Sequence, residues 1–426
     1  MSGKKLWSGP SLGFLRLPML AMALTAPATS VYLTFGTTYQ IAGPGVIGSF
    51  ALGAGLALLV MLSYAELGSL VPGAGGDYAL ASQTVGVGAG RVVGGVFLLK
   101  GALLPAVLVT TAAAYLHDGC PGIPVVASAA GMLLVIVGLT LVDLDRVSRL
   151  VSALVAIELA GFGWFVLRSL QLIERKAPHA FAGLGIPRHP VAILAAAVPI
   201  LYSLNGPQGV LYYREEIRDR PQTYGRAVVT VALVTICVEL VGFVLGVLAV
   251  SATGGSAPGL LPLVAVISGE GSGPPSGSLL LASVIVGLFN AALATVMSYG
   301  RVYFAMARNE LRRSGLRRIL TCTDRRGAPA ASLAIVGVLN LVSLLLFPVQ
   351  RLIVLLGSLV MVVFGIISLG ALLMRRKFSR PPYRMPGWPW PPILALVGLM
   401  ALLPFIPVSE LVVMAGVIAL SVLWPR

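Results

Sequence analysis

The sequence predicts an all-α polytopic membrane protein with about 12 transmembrane helices, and three observations lead to this fold class. Hydrophobic residues make up 57% of the 426-residue chain, only 11% of residues are charged, and the mean hydropathy is +0.95. A soluble globular protein of this length does not have such a composition. Long apolar stretches recur along the whole chain, and the alternating pattern of membrane barrel strands does not occur in the sequence.

The long apolar stretches define the predicted spans. A helix needs about 20 apolar residues to cross a hydrocarbon core of ~30 Å. The eleventh stretch, with roughly 15 residues, covers only ~23 Å as a helix, so whether the last two spans both cross is left open. The predicted spans are 17–41, 46–67, 92–116, 123–142, 147–173, 191–213, 227–253, 279–307, 331–347, 352–373, 391–405 and 407–424.

Two of the predicted spans are interrupted. The first is broken around Pro27 in "TAPATSVYLTFGTTYQ", and the sixth around Pro207 in "SLNGPQG". Proline removes a backbone donor, and an unsatisfied backbone group in hydrocarbon costs several kcal/mol. Ordinary proline kinks are the alternative interpretation. A kink, however, does not require the two glycines near Pro207, which are Gly206 and Gly209.

Each interrupted span opens a set of five, which predicts an internal repeat. Because five is odd, the second set enters the membrane from the opposite face, giving a five-plus-five inverted repeat. We expect one transmembrane domain over residues 1–426, with repeats at about 17–173 and 191–373 and an extra C-terminal helix pair at about 391–424.

The net charge of +15 reflects topology. With the N-terminus inside, 24 of the 30 lysines and arginines fall in cytoplasmic segments, five fall outside, and Lys100 lies within a span. This asymmetry follows the positive-inside rule. It predicts an integral cytoplasmic-membrane protein, of bacterial type by its Arg, Gly, Ala and Val usage, and excludes a nucleic-acid site as the reason for the charge.

The sequence gives little support for a catalytic site or a metal site. The three cysteines and three histidines are scattered without ligand spacing. The glycine-rich "PGAGG" has no following Lys-Ser/Thr and no preceding strand, so it is not a phosphate loop. We therefore expect no catalytic residues, no metal and no cofactor.

Four stretches in order resemble the amino acid–polyamine–organocation (APC) superfamily of permeases, and together they cover nearly the whole chain. They are "AGPGVIGSFALGAGLALLVMLSYAELGSLVPGAGGDY", which resembles the second span and its loop, "LNGPQGVLYYREEIRDRPQTYGRAV", the sixth span, "FNAALATVMSYGRVYFAMARNE", the eighth span, and "RRKFSRPPYRMPGWPWPP", the loop between spans 10 and 11. The resemblance implies alternating access around a site between spans 1, 3, 6 and 8.

The broken helices lead to the same site on physical grounds. A half-helix N-terminus offers free N–H groups to a carboxylate, and a half-helix C-terminus offers carbonyls to an ammonium. The helix ends predict the substrate-binding residues Ala26, Pro27, Ala28, Thr29 and Ser30 at the first break and Tyr202, Ser203, Leu204, Asn205 and Gly206 at the sixth. The resemblance adds Thr295, six residues before Arg301 where relatives have a pocket residue, and Lys100, which falls on the pocket-lining face of the third span in relatives.

Three positions depart from the pattern of the superfamily. Val31 stands where many members have the last glycine of Gly-Ser-Gly, which puts close approach of a carboxylate to bare backbone in doubt. Gln208 replaces an acid that can titrate. Tyr202 falls where relatives often have an aromatic gate, and its ring could cover an ammonium; a packing role is the alternative.

Lys100, Glu158 and Glu239 lie within predicted spans, where ionisable groups are functional by default. Lys100 and Glu158 each lie 9 residues from a border arginine, or ~14 Å deep, so an ion pair between spans 3 and 5 is possible. The alternatives are that Lys100 holds a substrate carboxylate or that the pair is a permanent structural bridge. Glu239 receives no role.

The prediction is a secondary active transporter for amino acids or related organic amines, proton-coupled or an exchanger. Glu158 is the expected titrating group, with Lys100 linked to it; Ser298 with first-span carbonyls could contribute to a sodium site. A small-molecule substrate and the lipid bilayer are the expected partners. A non-transporting sensor or a channel on the same scaffold is the alternative.

Overall fold

The computed structural model describes residues 16–71, 75–142, 144–176, 189–216, 221–252, 274–310, 315–323, 329–346, 349–377 and 381–423. These residues are helical almost throughout and contain no β-strand, which confirms the all-α class. The terminal basic residues Lys4, Lys5 and Arg426, which entered the charge count, lie outside the described residues.

The α-helices, numbered in chain order, are α1 (Arg16–Thr25), α2 (Pro27–Ala42), α3 (Val46–Leu70), α4 (Gly76–Thr84), α5 (Val87–Gly119), α6 (Val125–Thr140), α7 (Leu144–Arg175), α8 (Pro190–Ser203), α9 (Pro221–Ala252), α10 (Pro274–Glu310), α11 (Gly315–Leu320), α12 (Ala330–Leu346), α13 (Val349–Lys377), α14 (Trp390–Leu402) and α15 (Val408–Leu423). Three 3₁₀ helices, Gly43–Gly45, Pro207–Glu216 and Leu403–Phe405, complete the described helices. Helix α5 packs along α10, and α3 packs along α9.

Described apolar helices lie at the positions of the predicted spans, and the number of spans that cross a membrane stays a prediction. Seven segments are long and apolar enough to cross a membrane, and one of them, Pro18–Leu70, contains the first two predicted spans. Four shorter apolar helices, Val125–Thr140, Ala330–Leu346, Trp390–Phe405 and Val408–Val422, lie at predicted spans 4, 9, 11 and 12. The polytopic membrane class is therefore confirmed.

The first span is broken at Ala26, which separates α1 from α2. Ala26 has a left-handed backbone (φ 44°, ψ 64°), and Pro27 at the start of α2 needs no hydrogen-bond partner. The Ala26 N–H donates to the Met22 carbonyl at 2.6 Å, and its carbonyl accepts the Ser30 N–H at 2.7 Å. The chain therefore passes from one half-helix to the other at a single residue, Ala26.

The sixth span is broken over residues 204–206, between α8 and the 3₁₀ helix Pro207–Glu216. Gly206 has φ 156°, and a Cβ atom placed on it would lie 2.5 Å from Oγ1 and 2.7 Å from Cα of Thr25. Glycine alone fits this position, because any side chain would meet the backbone of α1. The two breaks therefore lie directly against each other.

A buried asparagine forms hydrogen bonds with the backbone of α5 next to its internal proline. Pro105 has no N–H to give to the carbonyl of Gly101, one turn earlier. The Asn340 amide on α12 donates to that carbonyl at 2.6 Å, and its Oδ1 accepts the Ala106 N–H at 2.7 Å. Because unpaired backbone groups are costly within a membrane, this one side chain holds both α5 and the contact between α5 and α12.

Two of the stretches that resemble the superfamily meet in space. Glu66 on α3 is fully buried and accepts two hydrogen bonds from Arg375 on α13, Nε to Oε1 and Nη2 to Oε2, each at 2.7 Å. The Met385 N–H also donates to Glu66, at 2.9 Å. The guanidinium lies over the ring of Trp388, 5.1 Å from its centroid. This network ties the end of α3 to the loop after α13.

Candidate functional site

A cavity lies where the two helix breaks meet. Its volume of about 30 Å³ has room for a water molecule or two, so its walls must separate before an organic molecule fits. Residues from the first, third, sixth and eighth predicted spans line it: Leu24, Thr25, Ala26, Thr29, Ser30, Leu33, Leu104, Leu108, Tyr202, Asn205, Gln208, Tyr212, Ala291, Thr295 and Tyr299.

None of the described residues that line the cavity has a charged side chain, and the wall combines apolar residues with hydroxyl and amide groups. Helix α5 contributes only leucines, whereas the two breaks contribute hydroxyl and amide groups. A ligand with one apolar part and one part rich in hydrogen-bonding groups therefore suits the cavity.

Six of the twelve predicted binding residues line this cavity. Those that line it are Ala26, Thr29, Ser30, Tyr202, Asn205 and Thr295. The others at the breaks are buried behind the wall: Pro27, Ala28, Ser203, Leu204 and Gly206.

Sequence reasoning missed several lining residues that helical spacing could have found. Ala291 and Tyr299 lie four residues to either side of Thr295, and Leu104 and Leu108 follow Lys100 at the same interval. Positions four apart share a helix face, so one correct lining residue predicts its neighbours. Tyr212 and Gln208 lie in the irregular 3₁₀ helix, where no such period applies.

The N-terminus of α2 holds a buried carboxylate from α7. Glu158 Oε1 accepts hydrogen bonds from the Thr29 N–H at 3.1 Å and the Thr29 hydroxyl at 3.0 Å. Its other oxygen, Oε2, is buried and has no hydrogen-bond partner. Gly287 on α10 leaves room for this contact, since a Cβ there would lie 3.2 Å from Glu158 Cγ. A negative charge at this helix end is favourable.

Val31 does not obstruct the helix end as the sequence had suggested. Its side chain is buried against Gly242 on α9, where an added Cβ would lie 2.7 Å from Val31 Cγ2. Val31 is not among the residues that line the cavity. Gly242, in the seventh predicted span, therefore provides the space that the Val31 side chain occupies.

The predicted ion pair between Lys100 and Glu158 is not formed. Lys100 is buried, its Nζ lies 5.3 Å from the ring centroid of Phe97 and 6.0 Å from that of Tyr299, and its electrostatic partner is Asp77 on α4. Similar depths along α5 and α7 allowed the pairing, but depth does not fix which way a side chain faces. Lys100 is also not among the lining residues.

Asp77 and Lys100 belong to a polar cluster one helical turn from the cavity. Asp77 accepts hydrogen bonds from the hydroxyls of Tyr64 on α3 and Tyr212 on the 3₁₀ helix. A Cβ on Gly76 would overlap the ring of Tyr212, so the ring lies directly against the start of α4. Tyr212 therefore belongs both to the cavity wall and to this cluster.

Two further polar contacts concern residues singled out in the sequence. Ser298 is hydrogen-bonded to the Tyr213 hydroxyl at 3.2 Å, and it lies 11 residues, or ~16 Å, along α10 from Gly287 beside the first break. The contacts that place Ser298 are thus with the sixth span.

Gln208 stabilises the sixth break by hydrogen bonds within it. Its side chain accepts the Gly206 N–H at 3.0 Å and donates to Asn205 Oδ1 at 2.9 Å.

Residues 12–424 match the amino acid permease family. The chain is 26% identical over 416 residues to the branched-chain amino acid permease BcaP of Lactococcus lactis subsp. cremoris (strain MG1363), with 88% of this chain and 85% of the relative covered.

The match extends over nearly all of the chain and includes both helix breaks and every element that lines the cavity. The resemblance read from four stretches of sequence is confirmed. It indicates an integral membrane transporter of amino acids rather than an enzyme. The chain belongs to the amino acid permease family.

Proposed function

We propose that this protein is a secondary active transporter that carries amino acids with uncharged, apolar side chains by alternating access. The observation that carries the proposal is the cavity at the contact of two broken helices, which is lined by both hydrogen-bonding groups and leucines. Broken spans in corresponding positions are the usual place of a transporter's midplane site. We further propose that α1–α7 and α8–α13 form two inverted repeats.

The two ends of an amino acid fit different parts of the cavity. The N–H groups at the start of α2 suit its carboxylate. The C-terminal end of α8, with the Tyr202 ring and Asn205 Oδ1, suits its ammonium. The leucines of α5 and Leu33 suit an apolar side chain, and the relative named as a branched-chain amino acid permease supports such a substrate.

The placement of the charges supports an orientation in the cytoplasmic membrane of a bacterium with the N-terminus inside. In this orientation α4 and its Asp77 cluster lie on the cytoplasmic side of the cavity. Tyr212 then separates the cavity from the cytoplasm. Lys100 serves as the counter-charge of Asp77, and the α2 N-terminus takes the substrate carboxylate.

Proton coupling is proposed through Glu158. A substrate carboxylate and the Glu158 carboxylate compete for the same Thr29 donors, because Thr29 both lines the cavity and binds Glu158. When substrate displaces it, Glu158 loses the Thr29 donors while it stays buried, and it takes up a proton. One proton would then enter the protein with each substrate.

Uptake by purified protein in proteoliposomes tests the function. Labelled leucine should accumulate when the outside is more acidic than the inside, whereas lysine, glutamate and the amine that lacks the leucine carboxylate should compete poorly. Failure to carry any amino acid, with equal binding of leucine and its amine, would favour a sensor and refute the carrier.

Replacing Glu158 by Gln should separate binding from coupling. Because proton uptake accompanies substrate binding, the wild-type affinity for leucine should rise as the pH falls, and in Glu158→Gln it should become independent of pH. Exchange of labelled for unlabelled leucine, which moves no net proton, should persist. The exposed Glu174→Gln on the same helix is the matched control. A wild-type pH profile in Glu158→Gln would remove Glu158 from the mechanism.

A further inference from the structure

A second buried acid lies behind the sixth-span break. Glu239 on α9 is 0% exposed, and its Oε2 lies 2.8 Å from the hydroxyl oxygen of Ser203, the last residue of α8. Its Oε1 is buried without a partner, and so is the hydroxyl of Thr235, one turn earlier on α9. The site described above uses neither residue.

Counting protons shows which form of Glu239 fits this geometry. The Ser203 hydroxyl has one hydrogen but lies within hydrogen-bond distance of two acceptors, Glu239 Oε2 at 2.8 Å and the Ile200 carbonyl at 2.9 Å. If Glu239 were ionised, one of these contacts would join two oxygens with no hydrogen between them. If Glu239 carries a proton, it donates to Ser203, and Ser203 donates to Ile200. Only the protonated acid satisfies both contacts.

Among the described residues, Glu239 has no compensating cation. Burial and the Ser203 hydroxyl are the influences on its charge among the described residues. Titratable groups also lie on the elements packed against α9, and among those with described side chains none influences this charge. They are Tyr32 and Tyr39 on α2, Tyr64 and Glu66 on α3, Arg146, Arg149, Glu158, Arg168, Glu174 and Arg175 on α7, Tyr212 and Tyr213 on the 3₁₀ helix, and Tyr224, Arg226 and Cys237 on α9 itself. An isolated buried carboxylate would be very costly.

The two buried acids are therefore held in different ways. Glu158 receives two donors at a helix N-terminus, an arrangement that favours a carboxylate. Glu239 faces a helix C-terminus, where carbonyl groups are exposed and a proton donor is favoured. Each acid touches one of the two breaks.

We propose that Glu239 is a proton-binding site of the carrier, protonated while Ser203 lies against it and deprotonated when the sixth break moves. The inference rests on the proposed transport function, because it assumes that the break moves during a transport cycle. Withdrawal of Ser203 removes the acceptor of the Glu239 proton and admits water along the opened break. The O–H bond of the carboxyl then breaks, and the proton passes to that water.

The donor set favours a proton over a metal cation. Sodium needs several oxygen ligands, whereas the described groups here are one carboxyl and the hydroxyls of Ser203 and Thr235. The Ser203 hydroxyl oxygen already contacts the Ile200 carbonyl as well. A proton requires only the acceptor that is present.

Infrared difference spectroscopy of the full-length protein at neutral pH tests the protonation directly. The wild type should show the carbonyl stretching band of a protonated, buried carboxylic acid. Glu239→Gln should lose this band, Glu158→Gln should keep it, and Ser203→Ala should shift it because the hydrogen bond is lost. A wild type without the band, or a band that persists in Glu239→Gln, would overturn the proposal.

Hydrogen exchange measured without substrate tests whether protonation of Glu239 controls movement of the sixth-span break. Raising the pH from mildly acidic to mildly alkaline should increase exchange at residues 203–209 of the wild type beyond the intrinsic effect of pH, and Glu239→Gln should abolish that increase. The same pH dependence in both proteins would refute the link. Because no substrate is present, a failed leucine uptake assay refutes the proposed function without affecting this result.

Discussion

Replacing Gly206 by alanine is expected to reduce the affinity for substrate by roughly 10- to 100-fold, the equivalent of about 1–3 kcal/mol of backbone strain. The added Cβ would lie 2.5 Å from Thr25 Oγ1 and 2.7 Å from Thr25 Cα, and the φ of 156° disfavours any side chain. The two breaks would be forced apart where substrate is proposed to bind. Leucine at this position should abolish binding while leaving membrane insertion intact.

The matched control is Gly131→Ala on α6, where an added Cβ meets no atom within 4 Å. Binding of labelled leucine to purified protein and thermal stability in detergent should both be measured. The control should match the wild type in both. Wild-type affinity in Gly206→Ala would show that contact between the breaks is not required for binding.

Replacing Asn340 by leucine is expected to cause the largest loss of stability. It leaves the Gly101 carbonyl and the Ala106 N–H without partners, and each buried unsatisfied group costs about 1–3 kcal/mol. The melting temperature in detergent should fall by several degrees, and the yield of folded protein should fall with it.

A double-mutant cycle with Pro105→Ala identifies the cause. Alanine at 105 restores the N–H that can pair with the Gly101 carbonyl within α5. Asn340→Leu should therefore cost less in the Pro105→Ala background than in the wild type. Equal costs in the two backgrounds would mean that Asn340 acts through packing and not through repair of α5.

Much of the architecture follows from local sequence. The apolar runs place the helices because a backbone in hydrocarbon must satisfy its own hydrogen bonds. Pro27 and the segment around Gly206 mark the breaks because each removes a helical hydrogen bond or admits an unusual backbone angle. Thr295 is assigned to the cavity by the resemblance, because relatives have a pocket residue at its distance from Arg301.

The remaining features depend on contacts between distant parts of the chain. Asn340 lies 234 residues from Ala106, and nothing in its neighbourhood marks it as the partner of a proline. Lys100 and Glu158 were paired by depth, yet they face Asp77 and Thr29. The short helix α4, which carries Asp77, is too polar to register as a span. The rotation of a helix about its axis decides such pairings, and a nearly uniform apolar helix gives little information on it.

The contact between Val31 and Gly242 makes the two positions unequal in their tolerance of substitution. A larger residue at 242 has no space beside Val31, because a Cβ there would already lie 2.7 Å from a valine methyl group. In a screen of single variants, substitutions at 242 should therefore be lost, whereas a smaller residue at 31 leaves only a void and should be retained.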